Sequence, residues 1–323
     1  MRRCHAGFER IGLDWSGNGW SRTLHLRLAC TKEDGIMSAL VPLWSGLTPQ
    51  EHEFQYNPQA AFPDFKNAQA GRMAANAVAL TRLAREADIA FGDHPLRRLD
   101  VYPSDSGGAR PKPVHVFLHG GYWRAQDKQN FAFIAEPLVA AGVVTVVTNY
   151  ELCPESTLDG VAESAIAAVD WVRGNIAQFG GDPRRISLSG HSAGAHLAAE
   201  VLAHGWEDPS FLSGMTAISG IFDPRPVMGT TVNAEVRLTE DIAARRDVER
   251  RPVKAPCPVL IFAGGLEPWQ WIDQSYRYGH HLHRSGLNPE VHVLPRWGHF
   301  DILSEFLEPG SPILTAVLRH AKG

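Results

Sequence analysis

The chain has 323 residues, of which 44% are hydrophobic and 20% charged, with 30 glycines and 22 prolines. That composition supplies a large buried core and many tight turns. A net charge of −4 leaves no basic footprint for nucleic acid or an anionic membrane surface, and no apolar run approaches the ~20 residues needed to span a bilayer.

No secretory apolar stretch follows the opening Met-Arg-Arg, because Asp14, Arg22 and Arg27 interrupt each candidate. Cys4, Cys30, Cys153 and Cys257 show neither metal-ligand spacing nor a dense disulfide framework, so the expected setting is reducing and cytoplasmic. Residues 1–36 carry no sustained period of 2 or 3.6 and precede a second methionine, Met37. Lys32-Glu33-Asp34 can be encoded by a stretch that contains a bacterial ribosome-binding sequence. The expectation is therefore a non-native translated leader ahead of a start at Met37, the alternative being a flexible arm; a peptide map of protein expressed from its own gene separates the two.

From residue 67 the pattern becomes regular. Residues 67–86 have Ala, Leu and Met at helical spacing and no internal proline, which predicts a helix. Residues 97–102 predict a strand closed by Pro103, and 114–118 a short apolar strand ending in His119-Gly120-Gly121. A helix is expected over 130–141 and a buried β-branched strand over 143–148. Residues 158–179 form the clearest amphipathic helix. Strand 185–189, helix 193–204 and strand 215–219 follow. Residues 224–254 are polar and irregular, and read as a lid or insertion. The alternation resumes with strand 258–263, helix 271–285, strand 290–294 and helix 312–320. Strands alternating with helices predict an α/β architecture, a mostly parallel central sheet with helices on both faces, in one domain over 37–323.

Gly190-His191-Ser192-Ala193-Gly194 fits G-x-S-x-G, and it falls where a predicted strand passes into a predicted helix. That context is a nucleophile elbow of the α/β-hydrolase fold, whose sharp turn exposes the serine. A serine hydroxyl needs a base, and in this fold the order along the chain is Ser, Asp or Glu, His. His299 has that order and lies in the loop after the last strand. His280, His281 and His283 lack metal-ligand spacing, and His196 reads as a packed residue of the elbow helix. Glu267, just past strand 258–263, is the expected acid, holding the His299 tautomer. Its rival Asp273 falls inside the next helix, and Asp301 reads as an N-cap. His119-Gly120-Gly121-Tyr122-Trp123 follows strand 114–118, where oxyanion donors belong, so the backbone N–H groups of Gly121, Tyr122 and Ala193 are the expected oxyanion hole. The chain is thus read as a serine hydrolase with catalytic Ser192, His299 and Glu267. No metal and no cofactor is expected, since the one Gly-rich strand-to-helix turn lacks GxGxxG.

These residues resemble kynurenine formamidase (arylformamidase). The HGGYW string matches that family's HGGxW motif, and 190–199 resembles its elbow. Pro256-Cys257-Pro258-Val259-Leu260 and His299-Phe300-Asp301-Ile302 are similar to its acid strand and histidine loop, and Gln55-Tyr56-Asn57-Pro58 to its N-terminal Tyr-x-Pro segment. The family generally carries aspartate where this chain has Glu267. The resemblance implies cleavage of an N-formylated arylamine, a small aromatic substrate. Tyr56, Trp123, Trp269 and Trp271 are the candidate substrate-binding aromatics, with Tyr122 beside them. The alternatives are a carboxylesterase or aryl amide or carbamate hydrolase of the same fold, and a non-catalytic ligand-binding protein built on it. A homo-oligomer is compatible with the sequence; nucleic-acid and membrane partners are not expected.

Overall fold

The computed structural model describes residues 44–104 and 110–323; the expectations for residues 1–36 and for a start at Met37 lie outside the described residues. Among the described residues four helices come first: α1 (Pro49–Tyr56), α2 (Pro58–Ala61), α3 (Phe65–Ala68) and α4 (Ala70–Arg82). A capping box starts α1. Thr48 Oγ1 accepts the Glu51 N–H, and the Glu51 carboxylate accepts the Thr48 N–H in return. The alternating body then runs β1 (Glu86–Ala90), β2 (Arg98–Tyr102), β3 (Lys112–Leu118), α5 (Ala132–Ala140), β4 (Val144–Thr148), α6 (Leu158–Asn175), β5 (Gly181–His191), α7 (Ala193–Ala203) and β6 (Leu212–Ile218). After two short helices, α8 (Asn233–Val236) and α9 (Glu240–Arg245), come β7 (Val259–Gly264), α10 (Trp269–Arg284), β8 (Glu290–Leu294) and α11 (Pro312–Lys322).

Among the described residues eight strands form one sheet, in the order β1-β2-β4-β3-β5-β6-β7-β8. Only β2 runs against the rest, pairing antiparallel with β1 and β4. Period-2 alternation divides the core between the two faces of the sheet. Val144 and Val146 of β4 join Val161 and Leu197, from α6 and α7, on one face. Val143 and Val147 join Phe133, Leu138, Ile313 and Val317, from α5 and α11, on the other. With both faces covered, every residue of β4 is buried, as its unbroken β-branched run requires.

Two readings of the sequence are corrected. The helix expected over 67–86 stops at Arg82, and Glu86–Ala90 forms the edge strand β1 instead. Glu-Ala-Asp-Ile-Ala is largely exposed, so no apolar alternation announces the strand; backbone pairing with β2 alone makes it one. Asp301 precedes the 3-10 turn Ile302–Leu307 but makes no side-chain cap to it. Its carboxylate faces backwards, accepting the Gly298 N–H at 2.7 Å.

The charged segment 224–254 is tied inward by its charges. Arg246 pairs with Asp159 at 2.6 Å and Glu200 at 3.2 Å, and Arg225 with Asp223 at 2.7 Å and Asp247 at 3.1 Å. Val227, Val232, Val236, Leu238, Ala243 and Val248 bury their side chains from the same stretch. No helix among the described residues is long and apolar enough to cross a membrane.

Candidate active site

Register decides which loops meet. Leu118 at the end of β3 pairs with Gly190 of β5, and Gly264 at the end of β7 pairs with Leu294 of β8. The loops that leave these four strands therefore gather at the carboxyl edge of the sheet, where open α/β sheets place their sites.

Ser192 stands between β5 and α7 with φ 56° and ψ −119°, a conformation that costs a non-glycine residue about 1–3 kcal/mol. The Ser192 N–H holds it there, donating to Ile218 O at 2.8 Å. Two glycines make room for the turn. A Cβ on Gly190 would meet Gly194 O at 2.1 Å, and one on Gly194 would meet Leu118 O at 2.0 Å.

Around this serine the structure brings together three of the sequence-expected residues. His299 Nε2 lies 3.0 Å from Ser192 Oγ, and His299 Nδ1 lies 2.6 Å from Glu267 Oε1. The other Glu267 oxygen accepts Ser219 Oγ–H at 3.0 Å and the Gly264 N–H at 2.7 Å. With these donors fixing the carboxylate, Nδ1 carries the imidazole proton toward Glu267, and Nε2 faces the serine as an acceptor. His191, the residue before the serine, donates from Nε2 to His299 O at 2.8 Å, so the elbow and the histidine loop are joined directly. Asp273 is paired with Arg277 at 2.8 Å on α10 and takes no part in this chain of bonds.

All three side chains are buried. Burial drives the His299 pKa well below the ordinary 6.5, the Arg72 charge adds to the fall, and Asp301 opposes it. Burial pushes Glu267 up, against the Gly264 and Ser219 donors that favour its anion. A base must be neutral to accept a proton, so with His299 in that role activity is expected to fall as pH drops through its pKa. The acid limb of a kcat/KM profile is therefore expected below pH 6.5, the ordinary histidine value. A limb above that value would show that proton uptake by the Glu267–His299 pair is governed by the buried carboxylate instead.

The N–H groups of Gly121, Tyr122 and Ala193 donate to no acceptor among the described residues. That of Ala193 opens α7, where the helix dipole adds positive character. Gly121, Tyr122 and Trp123 all have positive φ, at 119°, 56° and 58°, which turns the loop after β3 back over the serine. A Cβ built on Gly120 would come within 3.3 Å of Ser192 Cβ. Gly121 and Tyr122 line the same cavity as Ser192, and Ala193 follows it directly.

A cavity opens above Ser192 and His299. The N-terminal segment from α2 to α4 contributes Pro58, Gln59, Phe65, Gln69 and Arg72 to its wall; the loop after β3 contributes Tyr122, Arg124 and Phe131, and Phe300 adds to it. The four candidate substrate-binding aromatics are corrected here, because none lines this cavity. Trp123 is fully buried behind the loop, edge-on to His196. Trp271 is buried against the His299 ring, 4.8 Å between centroids, and donates to Ser219 O at 3.0 Å. Tyr56 is buried too; its carbonyl accepts the Tyr122 hydroxyl and its own hydroxyl donates to Gln270 at 3.2 Å. Trp269 is 63% exposed, away from the cavity. Trp123 and Trp271 thus support the motifs from behind, whereas Tyr122, the aromatic named beside these four, does line the cavity.

Sequence reasoning missed Phe65, Phe300, Arg72 and Arg124. One signal was present for Arg72. The buried residues of α4 are Arg72, Asn76 and Ala79, so two polar groups occupy the stripe that faces inward, and buried polar groups call for partners. Asn76 finds Gln129 O and the Phe133 N–H. Among the described residues no group of three His, Cys, Asp or Glu side chains is arranged to hold a metal ion.

A family model described as alpha/beta hydrolase fold matches residues 115–301. Kynurenine formamidase from Danio rerio is 29% identical over 280 residues, 82% of this chain and 94% of that protein. Isoprenylcysteine alpha-carbonyl methylesterase from Arabidopsis thaliana is 39% identical over 112 residues, 34% of this chain and 26% of that protein. Among solved structures, an esterase from Pyrobaculum calidifontis superposes with a TM-score of 0.63 at 20% identity, covering 85% of this chain and 98% of that one. The family model spans more than half of the 323 residues, the sheet has that architecture, and the relatives are hydrolases. The chain belongs to the alpha/beta hydrolase fold family and is a serine hydrolase similar to the kynurenine formamidases.

Proposed function

We propose that the chain cleaves aryl formamides, with N-formyl-L-kynurenine as the substrate to test first, through a Ser192–His299–Glu267 triad. The observation that carries the formamide over an ester is the extent of the likeness: the kynurenine formamidase match runs over 82% of the chain, the methylesterase match over 34%. The hydrogen-bonded line from Ser192 through His299 to Glu267 supports the mechanism.

Ser192 Oγ attacks the formyl carbon as His299 Nε2 takes the hydroxyl proton. The carbonyl π electrons move onto oxygen, and the N–H groups of Gly121, Tyr122 and Ala193 receive the oxyanion; each such donor contributes roughly 3 kcal/mol to the transition state. When the intermediate collapses, the C–N bond breaks and His299 returns the proton to the departing arylamine. Water, deprotonated by His299, then attacks formyl-Ser192; the C–Oγ bond breaks, His299 returns the proton to Ser192 Oγ, and formate leaves. Glu267 stabilises the imidazolium that forms in each half-reaction. No metal or cofactor enters these steps. A reducing, cytoplasmic setting fits Cys153 and Cys257, which are buried free thiols.

A second reading, a carboxylesterase or aryl carbamate hydrolase, is favoured by the methylesterase likeness at 39% identity. The deciding measurement is kcat/KM for N-formyl-L-kynurenine beside phenyl acetate and an aryl carbamate. A preference of tenfold or more for the formamide is the expected result, on the order of 1.4 kcal/mol of transition-state discrimination. Faster turnover of the ester would keep the mechanism and replace the substrate.

A further inference from the structure

The wall of the cavity contains two arginines, Arg72 and Arg124, and no carboxylate. Neither is needed by the reaction itself, in which the scissile amide is neutral and the oxyanion faces backbone N–H groups. The two are not equivalent. Arg124 is compensated, with Nη1 2.6 Å from Glu235 Oε1 and Nη2 donating to Gln59 at 3.3 Å.

Arg72 is only 6% exposed. Its Nη1 donates to Phe300 O at 2.7 Å, its Nε has no acceptor, and it enters no ion pair among the described residues. Asp301, whose charge reaches it, is engaged through Oδ1 with the Gly298 N–H. Burial lowers the Arg72 pKa to about 10, so the group is still a cation at neutral pH. Its Cζ stands 5.7 Å from the Phe133 ring centroid, a weak cation–π contact that leaves the buried charge without an ion-pair partner. An incoming anion supplies that partner, and the planar donor fork of arginine matches a carboxylate. The setting also suits an aryl group, since the Phe65 and Phe300 rings stand 4.9 Å apart in the same wall.

We propose that Arg72 receives a carboxylate carried by the leaving-amine half of the substrate, which makes the enzyme selective for arylamine derivatives that bear a carboxylate over those that lack one. A formyl group is too small to bear a charge of its own, so the anion belongs on the amine side. The proposal rests on the formamidase reading for the identity of that leaving group, and on the cavity wall for its charge.

The test uses the full chain and two matched substrate pairs: N-formyl-L-kynurenine against its decarboxylated counterpart, and 3-acetoxybenzoate against phenyl acetate. Wild-type protein is expected to favour the carboxylate member by roughly 10–100-fold in kcat/KM, chiefly through KM, the range of one charge-assisted hydrogen-bonded pair. Arg72→Gln should bring the ratio close to one, with Arg72→Lys between. A loss confined to the carboxylate substrates separates recognition from a merely structural role, which would lower both members together. An unchanged ratio in Arg72→Gln, or a wild-type ratio near one, overturns the assignment. If formamides are not cleaved and the ester pair still shows an Arg72-dependent preference, the formamidase reading fails and the carboxylate site stands. If Arg72→Gln does not fold, wild-type inhibition decides. L-kynurenine should inhibit phenyl acetate turnover at least tenfold more strongly than its decarboxylated analogue, and equal inhibition would sink the proposal.

Discussion

Ser192→Ala is expected to lower kcat on every acyl substrate by roughly 10⁵-fold, and His299→Ala by a similar factor. The side chains act as one unit, so removing both should cost little more than removing either; the remnant rate comes from binding and the oxyanion donors. The geometry makes the unit explicit. Ser192 Oγ lies 3.0 Å from His299 Nε2, and among the described residues no other hydroxyl or thiol side chain bonds to that ring. The serine hydroxyl supports nothing else, while the elbow is held by backbone: Ser192 N–H to Ile218 O, and the close approach of Gly194 to β3. Thermal stability should therefore stay near that of the parent. Initial rates with a melting curve on the same sample check both halves. Residual activity above about a tenth would point to a different nucleophile.

Glu267→Gln should reduce kcat by about 10³–10⁴-fold with little change in KM. Glu267 uses one oxygen for His299 and the other for two donors, Ser219 Oγ–H and the Gly264 N–H. A glutamine has a single oxygen, and those two donors claim it. Its NH₂ then faces His299 Nδ1 and requires that nitrogen to be an acceptor, which moves the ring proton to Nε2. The base is then protonated on the side that must accept from serine. Glu267→Asp keeps the charge but shortens the side chain by one methylene, ~1.5 Å, more than a 2.6 Å hydrogen bond tolerates without backbone movement. An intermediate loss of about 10–100-fold is expected. Single-turnover rates for the three proteins give the ordering, and a glutamine variant faster than the aspartate variant would contradict the tautomer argument.

Much of this molecule could be read from its residues because the signals were local. Strand β4 is an unbroken β-branched run, and the turn between β5 and α7 needs glycine where backbone passes at 2.0 Å. His299 and Glu267 were legible by chain order and by their places after strands. The pocket wall was not. Phe65 and Arg72 lie some 120 residues before Ser192 and carry no motif; only their long-range packing sets them beside it. The tryptophans misled because a bulky ring near a motif scores alike whether it contacts a ligand or, as Trp271 does, props the back of the histidine. The edge strand β1 escaped notice since its side chains are mostly solvated.

The segment from α2 to α4, which gives the cavity Pro58, Gln59, Phe65, Gln69 and Arg72, contributes no strand to the sheet. The wall that selects and the machinery that reacts are thus built from separate stretches of chain. An insertion or a run of substitutions between residues 58 and 72 leaves intact the strand ends that carry Ser192, Glu267 and His299. Descendants of this scaffold can exchange one clientele for another by rewriting that stretch while inheriting the same chemistry unchanged.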